Sequence, residues 1–307
     1  MKKQTKLWLS LGLIVLLIVV VFSLFYTPEK QTPKTLYIGT FSKAIGDAPF
    51  FVAKNKGWFD DVASKYGYDL EFTIYETLPP INEGFATGRV DFIGEAEPPA
   101  IIGRAAGIGI KVVGIQSTYT QQIVVPTDSN INSISDLKGK KIAVLSGTSS
   151  YYALPKLLNQ FGVSETEVEI FDMSPPDARA AFETGQIDAW AVWPPWVEQQ
   201  VVTGNGKTLN DTGTFIQVLV VGREKFMNEN PELTAELLQT IEQTKEWIAQ
   251  NEEEAQQIVS EEVTLPVEVV KEAWKTMDLT VTIGEREIND MQAKADFLYD
   301  KGNIKNK

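Results

Sequence analysis

Three short segments hold residues whose types and spacing suit chemistry. Ser146-Gly147-Thr148-Ser149-Ser150 follows a strand-like run at 141–145 and opens a helical one. Free N–H groups at a helix start attract anions, and hydroxyls there add donors, so this loop suits a sulfonate, carboxylate or phosphate. Capping alone needs one such residue, and here four hydroxyls stand in five positions. Gly94-Glu95-Ala96-Glu97-Pro98-Pro99 ends a second strand-like run. Acids there complement the dipole of the next helix, and a Glu turned into a cleft would meet a cationic group such as an amine. Trp190-Ala191-Val192-Trp193-Pro194-Pro195-Trp196 ends a third. In a strand Trp190 and Val192 share one face, and Ala191 and Trp193 the other. Trp193, at the strand end, is placed to wall a pocket, whereas Trp190 suits the core.

Much other chemistry is excluded by composition. The 307 residues contain no cysteine and no histidine. Disulfides, thiolate metal sites, Ser-His-Asp units and His-based proton transfer are therefore impossible. The net charge of −13 makes nucleic acid a poor partner, because that affinity is largely phosphate neutralisation. Gly206-Lys207-Thr208 resembles the end of a P-loop, but Val201 stands where its first glycine belongs. Asp128-Ser129-Asn130-Ile131-Asn132 starts like a calcium loop, but Ser133 and Gly139 replace the required Gly and Glu. No metal site, no cofactor and no catalytic residue is expected.

The elements that must position these segments alternate. Strands are expected at 36–41, 70–75, 90–94, 110–116, 141–145, 168–173 and 187–193. Helices are expected at about 49–66, 80–87, 98–107, 149–161, 176–184 and 195–202, with a helical, charged stretch from 223 onward. Such alternation predicts α/β architecture with mostly parallel sheets. One internal repeat sharpens it. Phe85-Ala86-Thr87-Gly88-Arg89-Val90-Asp91 and Phe182-Glu183-Thr184-Gly185-Gln186-Ile187-Asp188 match across 97 residues, each flanked by Pro pairs. Gly88 and Gly185 suit the left-handed position that ends a helix. Two similar α/β lobes follow, with a ligand cleft at the carboxyl ends of their strands. The crossings at 110–127 and 215–222 would act as hinges. The division is residues 1–34, lobe 1 at 35–120 plus 219–307, and lobe 2 at 121–218.

Lys2, Lys3 and Lys6 precede Leu7 to Phe25, 19 residues without a charge. That length spans a bilayer, and the positive flank keeps its own end cytoplasmic. No small-x-small cleavage site follows around Ser23–Thr27, so the run is expected to stay as a membrane anchor, with a cleaved signal as the alternative. Lys30, Lys34 and Glu29 complete the charges of the first 34 residues. The rest carries 23 basic and 40 acidic residues, a net of −17.

The chain resembles the extracytoplasmic substrate-binding proteins of ABC importers for aliphatic sulfonates, taurine and nitrate. The likeness rests on Asp136-Leu137-Lys138-Gly139-Lys140-Lys141-Ile142-Ala143-Val144 and Ser146–Ser150. It rests further on the string from Pro176-Asp177-Ala178-Arg179-Ala180-Ala181-Phe182 to Trp193 and Pro195, and on Gly88-Arg89-Val90-Asp91 with Ala105-Ala106-Gly107. The resemblance implies a two-lobe, type II periplasmic-binding-protein fold that closes on a hinge. It also implies a monomer outside the membrane that serves an ABC permease and is not an enzyme. It implies that Thr148, Ser149 and Ser150 hold the anionic head and that Trp193 lines the cleft. Ser42, Lys43 and Gln121 fall where the family's pocket lies. Two acids, Glu95 and Glu97, depart from the sulfonate pattern and suit an amino-sulfonate such as taurine. The lipid-anchoring cysteine of Gram-positive relatives is absent. Rival readings are an uptake receptor for an aminopyrimidine thiamine precursor or a nitrate-like anion, and a non-transport surface protein. The branch that makes the thiamine pyrimidine consumes a histidine, which this chain lacks.

Overall fold

Val, Ile, Phe and Tyr recur in short runs, and such runs become strands where both faces can be covered. The structure is a computed structural model that describes residues 34–41, 44–75, 78–209 and 214–306. From the amino end come β1 (Lys34–Phe41), α1 (Ala48–Asn55), α2 (Trp58–Lys65), β2 (Tyr68–Tyr75), α3 (Leu78–Thr87), β3 (Phe92–Ala96), α4 (Glu97–Ala105) and β4 (Ile110–Thr120). Then follow β5 (Gln122–Pro126), β6 (Lys141–Val144), α5 (Ser149–Gln160), β7 (Glu169–Asp172), α6 (Pro175–Glu183), β8 (Ala189–Val192), α7 (Trp196–Val202) and β9 (Gly206–Leu209). The chain ends with β10 (Phe215–Arg223), α8 (Glu224–Glu229), α9 (Pro231–Gln250), α10 (Glu252–Val263), α11 (Val267–Trp274), β11 (Met277–Asp278) and α12 (Glu285–Asp300). The helix expected at 49–66 is two helices, broken where Gly57 takes a left-handed φ of 73°.

Two sheets result. The larger runs β11-β4-β10-β3-β1-β2 and the smaller β7-β6-β8-β5-β9. Both are mixed rather than mostly parallel. β1 and β3 pair in parallel, as does β6 with β7 and β8. β10 runs antiparallel to β3 and β4, and β5 antiparallel to β8 and β9. The antiparallel members are the strands next to the passages between sheets, which need no helical crossover. Only Gln121 separates β4 from β5, so the chain changes sheets within one residue.

Period-2 burial divides each sheet between two helix layers. Ile142, Val144, Ala189 and Ala191 pack on Leu154, Leu157 and Leu158 of α5. The other face, with Ala143, Trp190 and Val192, packs on Ala178 and Phe182 of α6. Leu36, Ile38, Phe92 and Val220 meet Phe50, Phe59, Leu233 and Leu237. Ile93, Leu219 and Val221 meet Ile81, Phe85 and Ala100. Each such fully buried side chain contributes roughly 1.5–3 kcal/mol. The last helix, α12, touches the helix layers of both sheets. It packs on α4 and α5, with Phe297 edge-on to Tyr151 at 5.7 Å and Tyr152 at 5.3 Å.

The sequence repeat is a repeat of hydrogen bonds. Thr87 Oγ1 donates to Glu83 O at 2.8 Å, and Thr184 Oγ1 to Ala180 O at 2.7 Å. Gly88 and Gly185 then reverse the chain at φ 80° and 71°. Asp91 accepts from Tyr37 N at 3.0 Å, and Asp188 from Lys141 N at 2.8 Å. In each unit the Asp fastens the new strand to the start of its parallel neighbour, which sets the register.

The anchor expected at 7–25 lies outside the described residues. Among the described residues, no helix is long and apolar enough to cross a membrane.

The two matched aspartates are not equal in worth. Asp91 is buried and also pairs with Arg223, whereas Asp188 is partly exposed and holds one N–H. Asp91→Ala is expected to cost about 3 kcal/mol, the scale of a broken buried ion pair. Asp188→Ala is expected to cost about 1 kcal/mol, the scale of one hydrogen bond. Urea denaturation of both variants checks this, and equal losses would refute it.

Candidate functional site

Three carboxylates gather at the carboxyl ends of the strands of the larger sheet, where helix starts and loops converge. Asp47 ends the short turn Ile45–Asp47 after β1. Glu95 lies in β3, opposite Leu219 of β10, and Glu97 opens α4. All three are buried. Gln116 of β4 donates from Nε2 to Asp47 Oδ1 at 2.6 Å. That bond crosses β3 over Gly94. A Cβ at Gly94 would stand 2.0 Å from Asp47 Oδ1 and 2.3 Å from Gln116 Nε2, so only glycine admits the crossing.

A cavity opens beside this cluster. Asp47, Glu95 and Tyr119 line it from the larger sheet, Thr148, Ser149 and Trp193 from the smaller, and Phe41, Ile216 and Val218 add apolar wall. Its described lining includes two acids and no basic side chain. Burial pushes the Asp47 carboxyl well above the usual carboxylate range, with the Gln116 bond opposing. Burial, and then the Asp47 charge, pushes Glu95 up to about 8. Two desolvated carboxylates so close resist ionising together. Burial likewise raises Tyr119, which keeps its proton as a donor.

Glu97 has a different environment. Lys294 of α12 reaches its Oε1 at 2.5 Å, and Gln217 N donates to the same oxygen at 2.7 Å. Ser149 Oγ donates to Oε2 at 2.9 Å, joining the start of α5 to the start of α4. Thus Glu95 faces the cavity, and Glu97 stands behind it, already neutralised.

The hydroxyl loop is also committed. Thr148 Oγ1 donates to Leu145 O at 2.6 Å and accepts from Tyr151 N at 3.3 Å, the cap of α5. Ser150 Oγ donates to Gln121 Oε1 at 2.9 Å, and Gln121 Nε2 donates to Val192 O at 3.2 Å. With Ser149 bound to Glu97, all three hydroxyl protons go to protein acceptors. What the loop offers a ligand is the N–H groups of the first turn of α5, which have no acceptor within the helix. Gln121 is an interior tie between β4 and β5. Trp193 is half-buried at the cavity wall, and Trp190 is core against Phe182 and Trp196. Ser42 and Lys43 lie outside the described residues.

Sequence reasoning passed over Asp47, Tyr119, Gln116 and Lys294. Asp47 carried a signal, because it follows the first strand at its carboxyl end, where ligands bind in such folds. Lys294 carried none, being one charge in a charged helix.

These shifts fix a pH dependence. Glu95 holds its proton in the folded chain to about pH 8, well beyond the unfolded value, so folding binds extra protons between them. Stability is then full at low pH and falls as pH rises toward 8, by up to about 1.4 kcal/mol per pH unit for each mismatched proton. Glu198, buried in α7 and raised by burial to about 7, acts in the same direction. The melting temperature of the ligand-free protein is expected to drop from pH 5 to pH 8, and Glu95→Gln to flatten the drop. A slope that Glu95→Gln leaves unchanged would refute it.

Comparison with known proteins agrees with this architecture. The family described as NMT1/THI5 like matches residues 46–255. A "Putative aliphatic sulfonates-binding protein" of Bacillus subtilis is 32% identical over 258 residues, covering 82% of this chain and 78% of that one. The periplasmic aliphatic sulphonate binding protein SsuA of Escherichia coli superposes with a TM-score of 0.78 at 23% identity, covering 90% of each chain. The desulfurization enzyme DszB shares the fold too, with a TM-score of 0.67 at 16% identity, covering 88% of this chain and 93% of its own. The fold thus serves both binding and catalysis, and the site must decide between them. On the family match and the extent of the Bacillus likeness, the chain belongs to the NMT1/THI5-like family.

Proposed function

We propose that the chain is an extracytoplasmic receptor of an ABC importer, which closes over a small zwitterion of the amino-sulfonate type. One observation carries the choice of ligand: two buried acids, Asp47 and Glu95, line a cavity whose described wall has no basic side chain. A plain anion there meets no basic side chain and holds both acids in their protonated forms, whereas an ammonium group favours their ionisation and turns them into partners. The acidic end would take the amine. The first turn of α5 would take the sulfonate through its N–H groups, as helix starts take anions. Trp193 and Tyr119 would close the apolar middle. The likeness to sulfonate-binding proteins supports the anionic end of this reading.

Closure follows from the same contacts. A ligand that touches both halves stabilises the closed arrangement by its differential affinity. The hinge is assigned to the two crossings at 110–127 and 215–222, dividing lobe 1 at 35–120 plus 219–307 from lobe 2 at 121–218. The apolar run at 7–25 is assigned as the tether that keeps the receptor beside its permease. Uptake without chemistry suits a chain that has neither cysteine nor histidine to act as nucleophile or base. The acid pair equally suits a cationic heterocycle such as an aminopyrimidine, which belongs in the same screen.

Calorimetry and thermal shift with taurine, ethanesulfonate, nitrate and an aminopyrimidine test the reading. Taurine is expected to bind and to raise the melting temperature. Glu95→Gln is expected to weaken it by roughly ten- to a hundredfold, the worth of a hydrogen bond to a charged group. Taurine affinity is also expected to rise with pH up to about 8, because the Glu95 proton must leave before the amine can pair. No response to any of the four compounds, or tighter ethanesulfonate than taurine, would sink the proposal.

A further inference from the structure

We infer that the buried Lys294–Glu97 pair, which does not line the cavity, selects the ligand by holding Ser149 as a hydrogen-bond acceptor. The inference rests on the receptor reading above. Lys294 is wholly buried, and its three protons meet three acceptors. These are Glu97 Oε1 at 2.5 Å, Asp290 Oδ2 at 2.5 Å and Phe215 O at 3.2 Å. Glu97 Oε1 is occupied by that ammonium and by Gln217 N, so Oε2 is left for Ser149. A carboxylate that accepts from an ammonium and an amide accepts from the hydroxyl as well. The Ser149 proton is therefore turned away from the cavity that Ser149 lines, and its lone pairs are what remain for a ligand.

This adds an acceptor to the two acids already in the wall. A ligand group set against Ser149 Oγ must donate, as an ammonium does and a sulfonate oxygen cannot, which leaves the sulfonate to the N–H groups of the same turn. Lys294 and Glu97 are positioning residues, and they give α12 a part in recognition although it contributes no cavity-lining residue. In Glu97→Gln the geometry reverses. Gln217 N still requires the amide oxygen, so the amide NH₂ faces Ser149, and the Ser149 proton turns into the cavity.

The test compares taurine with ethanesulfonate by calorimetry on the full chain. Glu97→Gln is expected to lower the preference for taurine by roughly tenfold, the scale of one hydrogen bond to a charged group, with ethanesulfonate binding tighter than in the wild type. Ser149→Ala is expected to weaken taurine more than ethanesulfonate, and to abolish the effect of Glu97→Gln on the ratio. If Glu97→Gln does not fold, Glu97→Gln with Lys294→Met removes both buried charges together and is read in the same way. An equal loss for both probes marks a purely structural pair and overturns the inference alone. So does Ser149→Ala weakening ethanesulfonate as much as taurine. A wild type that binds neither probe overturns the receptor reading, and this inference with it.

Discussion

A carboxylate with no exposure to water must be matched by a partner or give up its charge, and most of the cleft is arranged around that constraint. Glu97 is the group concerned. Lys294 reaches it from the last helix, Gln217 N from β10, and Ser149 from the first turn of α5. Three distant parts of the chain therefore meet at the two oxygen atoms of Glu97. Removing Lys294 or Glu97 alone would leave a buried charge bare, which makes the pair hard to dismantle piecemeal. Lys294 responds in kind. Burial lowers its affinity for a proton, but the charges of Glu97 and Asp290 outweigh burial and leave it raised.

Asp47 and Glu95, a few residues away in the fold, are left without such compensation. Gln116 gives Asp47 one donor, and Glu95 has burial and a like charge against it. Desolvated acids with raised affinity for a proton cluster at functional sites. The contrast between one acid fully answered and two left waiting is what turns an apolar-walled cavity into a site with polarity. Gly94 belongs to the same arrangement, because only its missing side chain lets Asp47 and Gln116 meet across β3.

The hydroxyl loop illustrates how far residue type alone reaches. Its composition singled out a loop whose Thr148 and Ser149 line the cavity. It did not mark the direction of each O–H. A Ser hydroxyl donates or accepts according to its neighbours, and those neighbours, Glu97 and Gln121, come from 52 and 29 residues away. The paired acids Glu95 and Glu97 show the same limit. Two residues apart in one segment, they end in opposite roles, because strand β3 gives way to helix α4 between them.

Local chemistry by itself determined the strand and helix alternation, the duplicated unit with its Thr, Gly and Asp, the core role of Trp190 and the exclusion of thiol and imidazole chemistry. Each depends on residues close in sequence or on residues that are absent, so no long-range contact was needed. Only the tertiary structure decided that Glu95 and not Glu97 faces the cavity, that Asp47 joins it, and that Lys294 at the far end of the chain supports Ser149. Those facts depend on which groups the packed sheets bring within hydrogen-bond reach, and in an interior without water that proximity sets both charge and proton direction.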